Sequence, residues 1–309
     1  MQGLLPGLAR PKDKVTVVPG NRAQGGLSVA ADGPHDEASA EERLARFDTS
    51  VPHPARVYDA LLGGKDNFAA DRATADDLLR AFPAIAEATR SNRRFLKRAV
   101  TYLAEEAGIR QFLDIGTGLP SANNTHEVAQ RHAPESRVLY VDNDPLVLVH
   151  AQALLTSAEP GRTGYVEADL REPRKVLSHA ADLLDLSQPV AVMMIAVLHL
   201  TTDDDHPHQI VKTYMDATVP GSYLAMTHLA DDLNPEMLEA ARIFVEQSDT
   251  QGKLRGHAEF ARFFDGLELI EPGVVPANEW RPHSEFEANA LVPSWSGIAR
   301  KPFPAGQPA

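Results

Sequence analysis

Two hydrophobic periods divide the chain. Between residues 39 and 108 apolar positions recur at helical spacing, in "ASAEERLARFD", "PARVYDALLGG", "DNFAADRATADDLLRAF" and "PAIAEATRSNRRFLKRAVTYLAEEAG". In the last of these Phe95, Leu96, Ala99, Val100 and Leu103 share one helix face, and Gly108 stands where a helix would end. After Gly108 the period shortens. Apolar runs of strand length, "RQFLDIG", "SRVLYVDND", "TGYVEADL", "PVAVMMIAVLH", "GSYLAMTHLA", "LELIEPGVV" and "WSGIARK", now appear, the early ones separated by helix-length stretches such as "SANNTHEVAQRHA", "PLVLVHAQALL" and "DHPHQIVKTYMDA". This alternation predicts an α/β fold with a doubly wound, mostly parallel sheet, because parallel neighbours need a crossover between them. The last two strands flank a Pro-rich loop in place of a clear helix, which predicts an antiparallel closing pair.

The same patterning predicts four segments. Residues 1–38, rich in Gly, Pro, Ala and Asp and without a hydrophobic period, are expected to form a disordered tail. A helical cover follows over 39–108, then the α/β domain over 109–302 and a short C-terminal tail over 303–309. No internal repeat is visible.

Composition narrows the chemistry. The 309 residues carry a formal charge of -13 with no long Lys/Arg run, which argues against a sequence-independent grip on a phosphate backbone. Absence of cysteine removes thiolate nucleophiles, thiolate zinc sites and cysteine-ligated clusters. No uninterrupted apolar stretch reaches the roughly 18 residues of a membrane span, and the N-terminus lacks a sustained apolar signal core. The expectation is a soluble cytoplasmic protein with neither nucleic acid nor membrane as partner.

The first strand runs into "FLDIGTGLP", and such a sheet binds its ligand at this turn, beyond the carboxyl ends of its strands. Gly116 and Gly118 allow a tight turn and a close backbone approach, which suits several adenine cofactors. The second strand ends in Asp142, placed to accept from both hydroxyls of a ribose, while Asn143 and Asp144 are better placed to cap the helix starting at Pro145. A NAD-dependent oxidoreductase shares these features. Two others oppose it: Ser121 occupies the position of the third fingerprint glycine, and Asp114 would repel a pyrophosphate while welcoming a cationic amino-acid group. The third strand ends in Asp169, suited to an exocyclic adenine amine or, alternatively, to a helix cap. Three acids after three successive strands point to S-adenosylmethionine (SAM), which has no phosphate and carries an α-ammonium and a sulfonium.

With these motifs in place the sequence resembles the class I SAM-dependent methyltransferases, and more narrowly an actinobacterial family of undefined substrate. The resemblance rests on "ARVYDALLGGKDNFAADR", "NRRFLKRAV", "QFLDIGTGLP", "HEVAQ", "VLYVDNDPLVL", "AVLHL", "PGSYLAMTH" and "GLELIEPGVV", in that order. It implies a Rossmann-like, seven-stranded sheet with an antiparallel last strand and an N-terminal helical cover. It also implies cofactor contacts from Asp114, Gly116, Thr117 and Gly118 at the methionine part, Asp142 and Asn143 at the ribose, Asp169 and Leu170 at adenine, and Ala196 at the end of the fourth strand. Tyr58, Lys65, Asn67 and Arg94 are expected contacts of the cover with cofactor or substrate. The "GLP" that begins at the second glycine, Gly118, departs from the commoner methyltransferase pattern, which has a third Gly.

Methyl transfer needs a base only for a weakly acidic nucleophile. His199 in "AVLHL" and, second to it, His228 in "LAMTHLA" are the candidate bases, each at the end of a strand that faces the site. The run "TTDDDHPHQ" is read as a helix N-terminus complementing the dipole rather than a metal site. No "DPPY"-like clamp follows the fourth strand, which argues against base-amine methylation in nucleic acid. The expected activity is direct methyl transfer to an oxygen or nitrogen of a small molecule, with a catalytically silent SAM-binding regulator as the rival.

Overall fold

The central apolar runs after Gly108 become strands buried on both faces, as parallel strands are when helices cover both sides of a sheet, while "LELIEPGVV" gives only two short, less buried edge strands. The computed structural model describes residues 16–18, 48–154 and 160–304. In chain order its elements are β1 (Thr16–Val18), α1 (Pro54–Leu62), α2 (Ala69–Ala81), α3 (Ile85–Glu105), β2 (Gln111–Ile115), α4 (Thr125–His132), β3 (Arg137–Asp142), α5 (Pro145–Leu154), β4 (Arg162–Glu167) and α6 (Pro173–Ala180). There follow β5 (Ala191–Ile195), a 3₁₀ turn (Leu198–Leu200), α7 (Pro207–Asp216), β6 (Tyr223–Leu229), α8 (Glu236–Gln247), α9 (His257–Ala261), a second 3₁₀ turn (Arg262–Phe264), β7 (Glu268–Leu269), β8 (Val275–Pro276), α10 (Glu285–Ala288) and β9 (Ser294–Arg300).

Strand order is β1-β4-β3-β2-β5-β6-β9-β7, with β8 paired to β9. Strand β2 is flanked by parallel β3 and parallel β5, so the order reverses there and the crevice for a ligand opens between the ends of β2 and β5. The closing strand β9 runs antiparallel to both β6 and β7, as expected. The seven expected strands are β2 to β7 and β9. Two short strands add to them. Within the expected tail, the β-branched Thr16, Val17 and Val18 pair antiparallel with β4 and cover an edge that would otherwise expose unpaired backbone groups. The rest of residues 1–38 lies outside the described residues, as does most of the helix expected at "ASAEERLARFD".

The expected N-terminal helical cover is present and gains a partner from far along the chain. Helix α3 packs its Phe95, Leu96, Ala99 and Leu103 into the main core on one face of the sheet, beside Phe112, Val138 and Tyr140. Helices α1 and α2 form a separate cluster, and their partner comes from far along the chain: Met237 and Ala240 of α8, inserted between β6 and β7, pack with Val57, Leu61, Leu78 and Phe82. The cover is therefore not purely N-terminal. Its amphipathic helices needed a second apolar face, and α8 supplies it.

Arg98 of α3 ties this helix to the segment before β9. It is buried, donates from Nε to the Trp280 carbonyl (2.8 Å) and from Nη2 to the Ala277 carbonyl (2.7 Å), and faces Glu287 at 3.3 Å. Burial lowers its pKa, and the Glu287 carboxylate partly offsets that. Replacing Arg98 with Ala strands two buried carbonyls, so urea denaturation should show a loss on the order of 3 kcal/mol.

Candidate active site

The turn after β2 is shaped by what stands beside it. Gly116 has φ +71°, and a Cβ there would lie 2.1 Å from Cγ2 of Val197, at the tip of β5. Gly118 is also left-handed, at φ +66°, but a Cβ there would come no nearer than 4.0 Å to Ala55 of the cover. The first glycine is thus demanded by packing and conformation together, the second by conformation alone. Gly116 N–H donates to the Val141 carbonyl (2.8 Å), and Gly118 N–H donates to Oδ2 of Asp142 (2.7 Å). Helix α4 begins only at Thr125, with Asn124 and Glu127 forming a capping box across its first turn. A carboxylate already occupies the N-terminus where a dinucleotide fold would seat its pyrophosphate.

The three carboxylates expected from sequence, Asp114, Asp142 and Asp169, are among those around a cavity of about 550 Å³ that runs from the strand ends to the helical cover. Asp114 is buried beneath the turn, and burial pushes its pKa up to about 6 despite a 2.5 Å hydrogen bond from Thr125 Oγ1 and the nearby Arg93 charge. Asp142 is also raised by burial, which outweighs its hydrogen bonds from Asp144 N–H (3.0 Å) and Gly118 N–H. It does not cap α5; Asp144 does, accepting from Leu146 N–H at 2.9 Å. Burial also works against Asp144, but the His53 imidazole 3.0 Å away outweighs it and holds Asp144 below the usual range. Asp169 is likewise lowered against its own burial, because Arg171 donates to it from Nε, Nη2 and the backbone, and Asn143 adds a side-chain hydrogen bond. It caps no helix with its side chain, and Leu170 beside it accepts from Tyr214 Oη at 3.1 Å.

The cover reaches the β5 and β6 tips through one chain of hydrogen bonds. Asn92 of α3 donates from Nδ2 to Tyr58 Oη (2.9 Å) and accepts from Thr227 Oγ1 (2.7 Å); Thr227 Oγ1 in turn accepts from the N–H of Ala196 (2.8 Å). Ala196 has φ +54°, unusual for a residue with a Cβ, and these bonds hold it there. Next to it, His199 lines the cavity with its Nδ1 buried and unpartnered. Burial, with Arg255 nearby, lowers its pKa to about 4, so it is neutral at physiological pH.

His228 is not free to act as a base. Its Nδ1–H donates to the Leu229 carbonyl (2.8 Å), which leaves Nε2 as the acceptor from Arg255 Nη1 (3.1 Å). A guanidinium that never loses its proton occupies the lone pair, and burial holds the imidazole neutral besides. The acids of "TTDDDHPHQ" serve the same region. Asp203 binds Arg255 (2.9 Å) and Lys253 (2.9 Å) and so tethers the strap over residues 249–255, whereas Asp205 accepts from Thr202 N–H (2.8 Å) within its own turn and faces Arg171; α7 has no acid in its first turn. Among the described residues no group of three or more His, Asp or Glu is placed to hold a metal.

Of the residues singled out from sequence, Tyr58, Asp114, Gly116, Thr117, Gly118, Asp142, Asn143, Asp169, Leu170, Ala196, His199 and His228 all line the cavity. Three do not. Asn67 spends its amide on Asp59 (2.8 Å) and the Gly64 carbonyl (3.0 Å), locking the turn between α1 and α2. Lys65 is exposed in that turn, and Arg94 points outward to Glu87 and Glu287. Its neighbour Arg93 takes the position instead. Thr89, Asn92, Arg93 and Leu96 line the cavity at i, i+3, i+4 and i+7, a spacing that was readable in "TRSNRRFL". Arg93 donates to the Ala122 (3.1 Å) and Asn123 (3.2 Å) carbonyls and keeps a buried, unpartnered Nε. His53 had no sequence signal, since it lies in a loop and acts through the fold.

This sheet order, with a glycine turn and acids after successive strands, defines a Rossmann-like methyltransferase that uses SAM. A family model described as S-adenosyl methyltransferase matches residues 40–302, and the chain belongs to that family. A DUF574 family protein from Streptomyces avermitilis is 45% identical, with a TM-score of 0.81 over 83% of this chain and 100% of its own. A candidate methyltransferase from Thermobifida fusca is also 45% identical, with a TM-score of 0.78 over 83% of this chain and 97% of its own. A comparison with curated proteins returned no match. No helix among the described residues is long and apolar enough to cross a membrane.

The two glycines should respond unequally to the same change. Gly116→Ala meets Val197 as well as backbone strain and should cost on the order of 3 kcal/mol, whereas Gly118→Ala carries only the strain, on the order of 1 kcal/mol. Thermal melting of both variants measures the difference.

Proposed function

We propose that the protein transfers the methyl group of SAM directly to an oxygen or nitrogen of a small molecule held between the strand ends and the helical cover. The observation that carries this reading is one cavity with two unlike ends: charged groups at the β2 to β4 tips, and a mainly apolar chamber under α1, α2 and α8. Its volume falls within the range of about 300 to 1,000 Å³ that small-molecule sites occupy.

The charged end suits the cofactor. Asp114, raised to about 6 by burial, gains when a cation comes near, which fits an α-ammonium. Arg93, with its unpartnered Nε on the same side of the cavity, fits the α-carboxylate. Asp142 has one oxygen on Gly118 N–H and another on Asp144 N–H, and each keeps a lone pair for a ribose hydroxyl. Asp169, ionised by Arg171, and Leu170 border the adenine position. Bound SAM supplies a methyl group on a positively charged sulfur that departs as a neutral thioether. The chain's own contribution is orientation: the turn and the β5 tip set the cofactor end, and the cover excludes water from the other. His199, neutral and with a free ring nitrogen, accepts the proton of a hydroxyl acceptor; an amine acceptor needs no such help.

Isothermal titration should show binding of SAM and of its demethylated product, and Asp142→Ala and Arg93→Ala should each weaken it by roughly tenfold or more. Binding of neither ligand to the native protein would overturn the reading. The pH dependence has a definite sign. A carboxylate with a raised pKa is protonated on the acid side of about 6, so SAM affinity should fall roughly tenfold per pH unit below that value and level off above it.

A second measurement isolates the base. With labelled SAM and a metabolite extract, His199→Gln should reduce transferred label by roughly a hundredfold while SAM affinity stays within about twofold. Because His199 loses its basic form only near pH 4, it should impose no acid limb on transfer between about pH 5 and 8. Binding of SAM without any transferred label by the native protein would mark a SAM-binding regulator instead.

A further inference from the structure

The far end of the cavity is a chamber with a chemistry of its own. Leu61, Leu78, Ile85, Met237 and Phe244 face it, all from the cover or packed against it. Such a cluster would ordinarily close on itself, because apolar walls without partner atoms forfeit their dispersion contacts. Three small residues prevent that. Ala88 of α3 and Ala240 and Ala241 of α8 line the chamber at positions where a longer side chain would fill it.

Charges at this end are already matched or stand outside. Lys253 lines the chamber, but its Nζ is held by Asp203 (2.9 Å) and Glu259 (2.7 Å). Arg255, just behind, is held by Asp203 and by His228. Asp249 is exposed to solvent. Arg93 and Arg171 belong to the opposite end, beside Asp114 and Asp169. Between the chamber and the strand tips stand four neutral polar groups, Tyr58 of α1, Asn92 of α3, Thr227 of β6 and His199 beyond β5. Three of these form a closed hydrogen-bond chain, and His199 alone keeps a buried nitrogen without a partner.

We infer that the methyl acceptor is an uncharged, largely apolar, ring-sized molecule whose single polar group lies at the strand tips beside His199, and that the chamber rejects carboxylate-, phosphate- and ammonium-bearing acceptors. This rests on the methyltransferase reading of the same cavity. A charged acceptor would enter a compartment whose cations, Lys253 and Arg255, are already partnered and whose carboxylate Asp249 stands in solvent, and it would lose its hydration without compensation. A neutral one fills space that the three alanines leave open.

The test uses the full-length protein saturated with demethylated SAM and three matched probes: 2-naphthol, 2-naphthoate and 2-naphthylmethylamine, the last cationic at neutral pH. Calorimetry should show the naphthol binding at least roughly tenfold more tightly than either charged probe. Ala241→Phe, at a partly buried position facing the chamber, should abolish naphthol binding while leaving affinity for demethylated SAM unchanged; Ala88→Leu serves as a second filling variant from the opposite wall. Equal or tighter binding of a charged probe would overturn the inference, as would naphthol binding that survives both variants or no naphthol binding at all. In each of those cases the cofactor still binds and the methyltransferase reading stands. Failure of the demethylated cofactor to bind would remove both.

Discussion

The contact between Gly116 and Val197 is the constraint around which the rest of the site is arranged. A side-chain methyl from the end of β5 occupies the volume in which any Cβ at the first turn would sit. The β2 and β5 tips are thereby brought together at the one place in the sheet where strand order reverses. From that contact follow the left-handed backbone of the turn, the exposure of its amides toward Asp142, and the position of Ala196 one residue before Val197. Ala196 in turn is held by Thr227, and Thr227 by Asn92 of α3, so the turn, the two strand tips and the cover are one mechanical unit.

Burial of charge is the second organising effect. Asp114 and Asp142 lie beneath the turn with too little compensation to keep ordinary carboxylate pKa values, whereas Asp144 has the His53 imidazole and Asp169 the Arg171 guanidinium beside it, and both are held low. Two acids at the cavity are thus left undercompensated, and two are already paired within the protein. The histidines divide in the same way. His228 is fixed between a carbonyl and a guanidinium, and His199 keeps a nitrogen free.

Much of this was legible in the chain before folding. Strands that become buried on both faces announce themselves as short apolar runs, and an acid or glycine at the end of such a run has only one place to go. That is why Asp114, Asp142, Asp169 and both glycines could be located by pattern alone. What the pattern conceals is contact between distant segments. The strap carrying Arg255 lies 27 residues from His228 in the chain, and nothing local marks it as the group that silences that imidazole. The same holds for α8, whose apolar face reads like any amphipathic helix until α1 and α2 appear opposite it. Arg94 and Arg93 show a third kind of concealment: adjacent residues on a helix point about 100° apart, and only counting back from Leu96 separates the inward arginine from the outward one.

The cover's separate hydrophobic cluster has an evolutionary consequence. Because the buried cluster of α8 and the two N-terminal helices is separate from the sheet's own and meets it through the partly buried Leu229 of β6, exchanges such as small for large at Ala240 or Ala241 reshape one end of the cavity without touching the glycine turn after β2. If the methyl acceptor is held in that chamber, as proposed, reaction chemistry and molecular taste are inherited on different parts of the protein. A lineage built this way can diversify its products by drift in three helices while its catalytic core stays under unbroken selection.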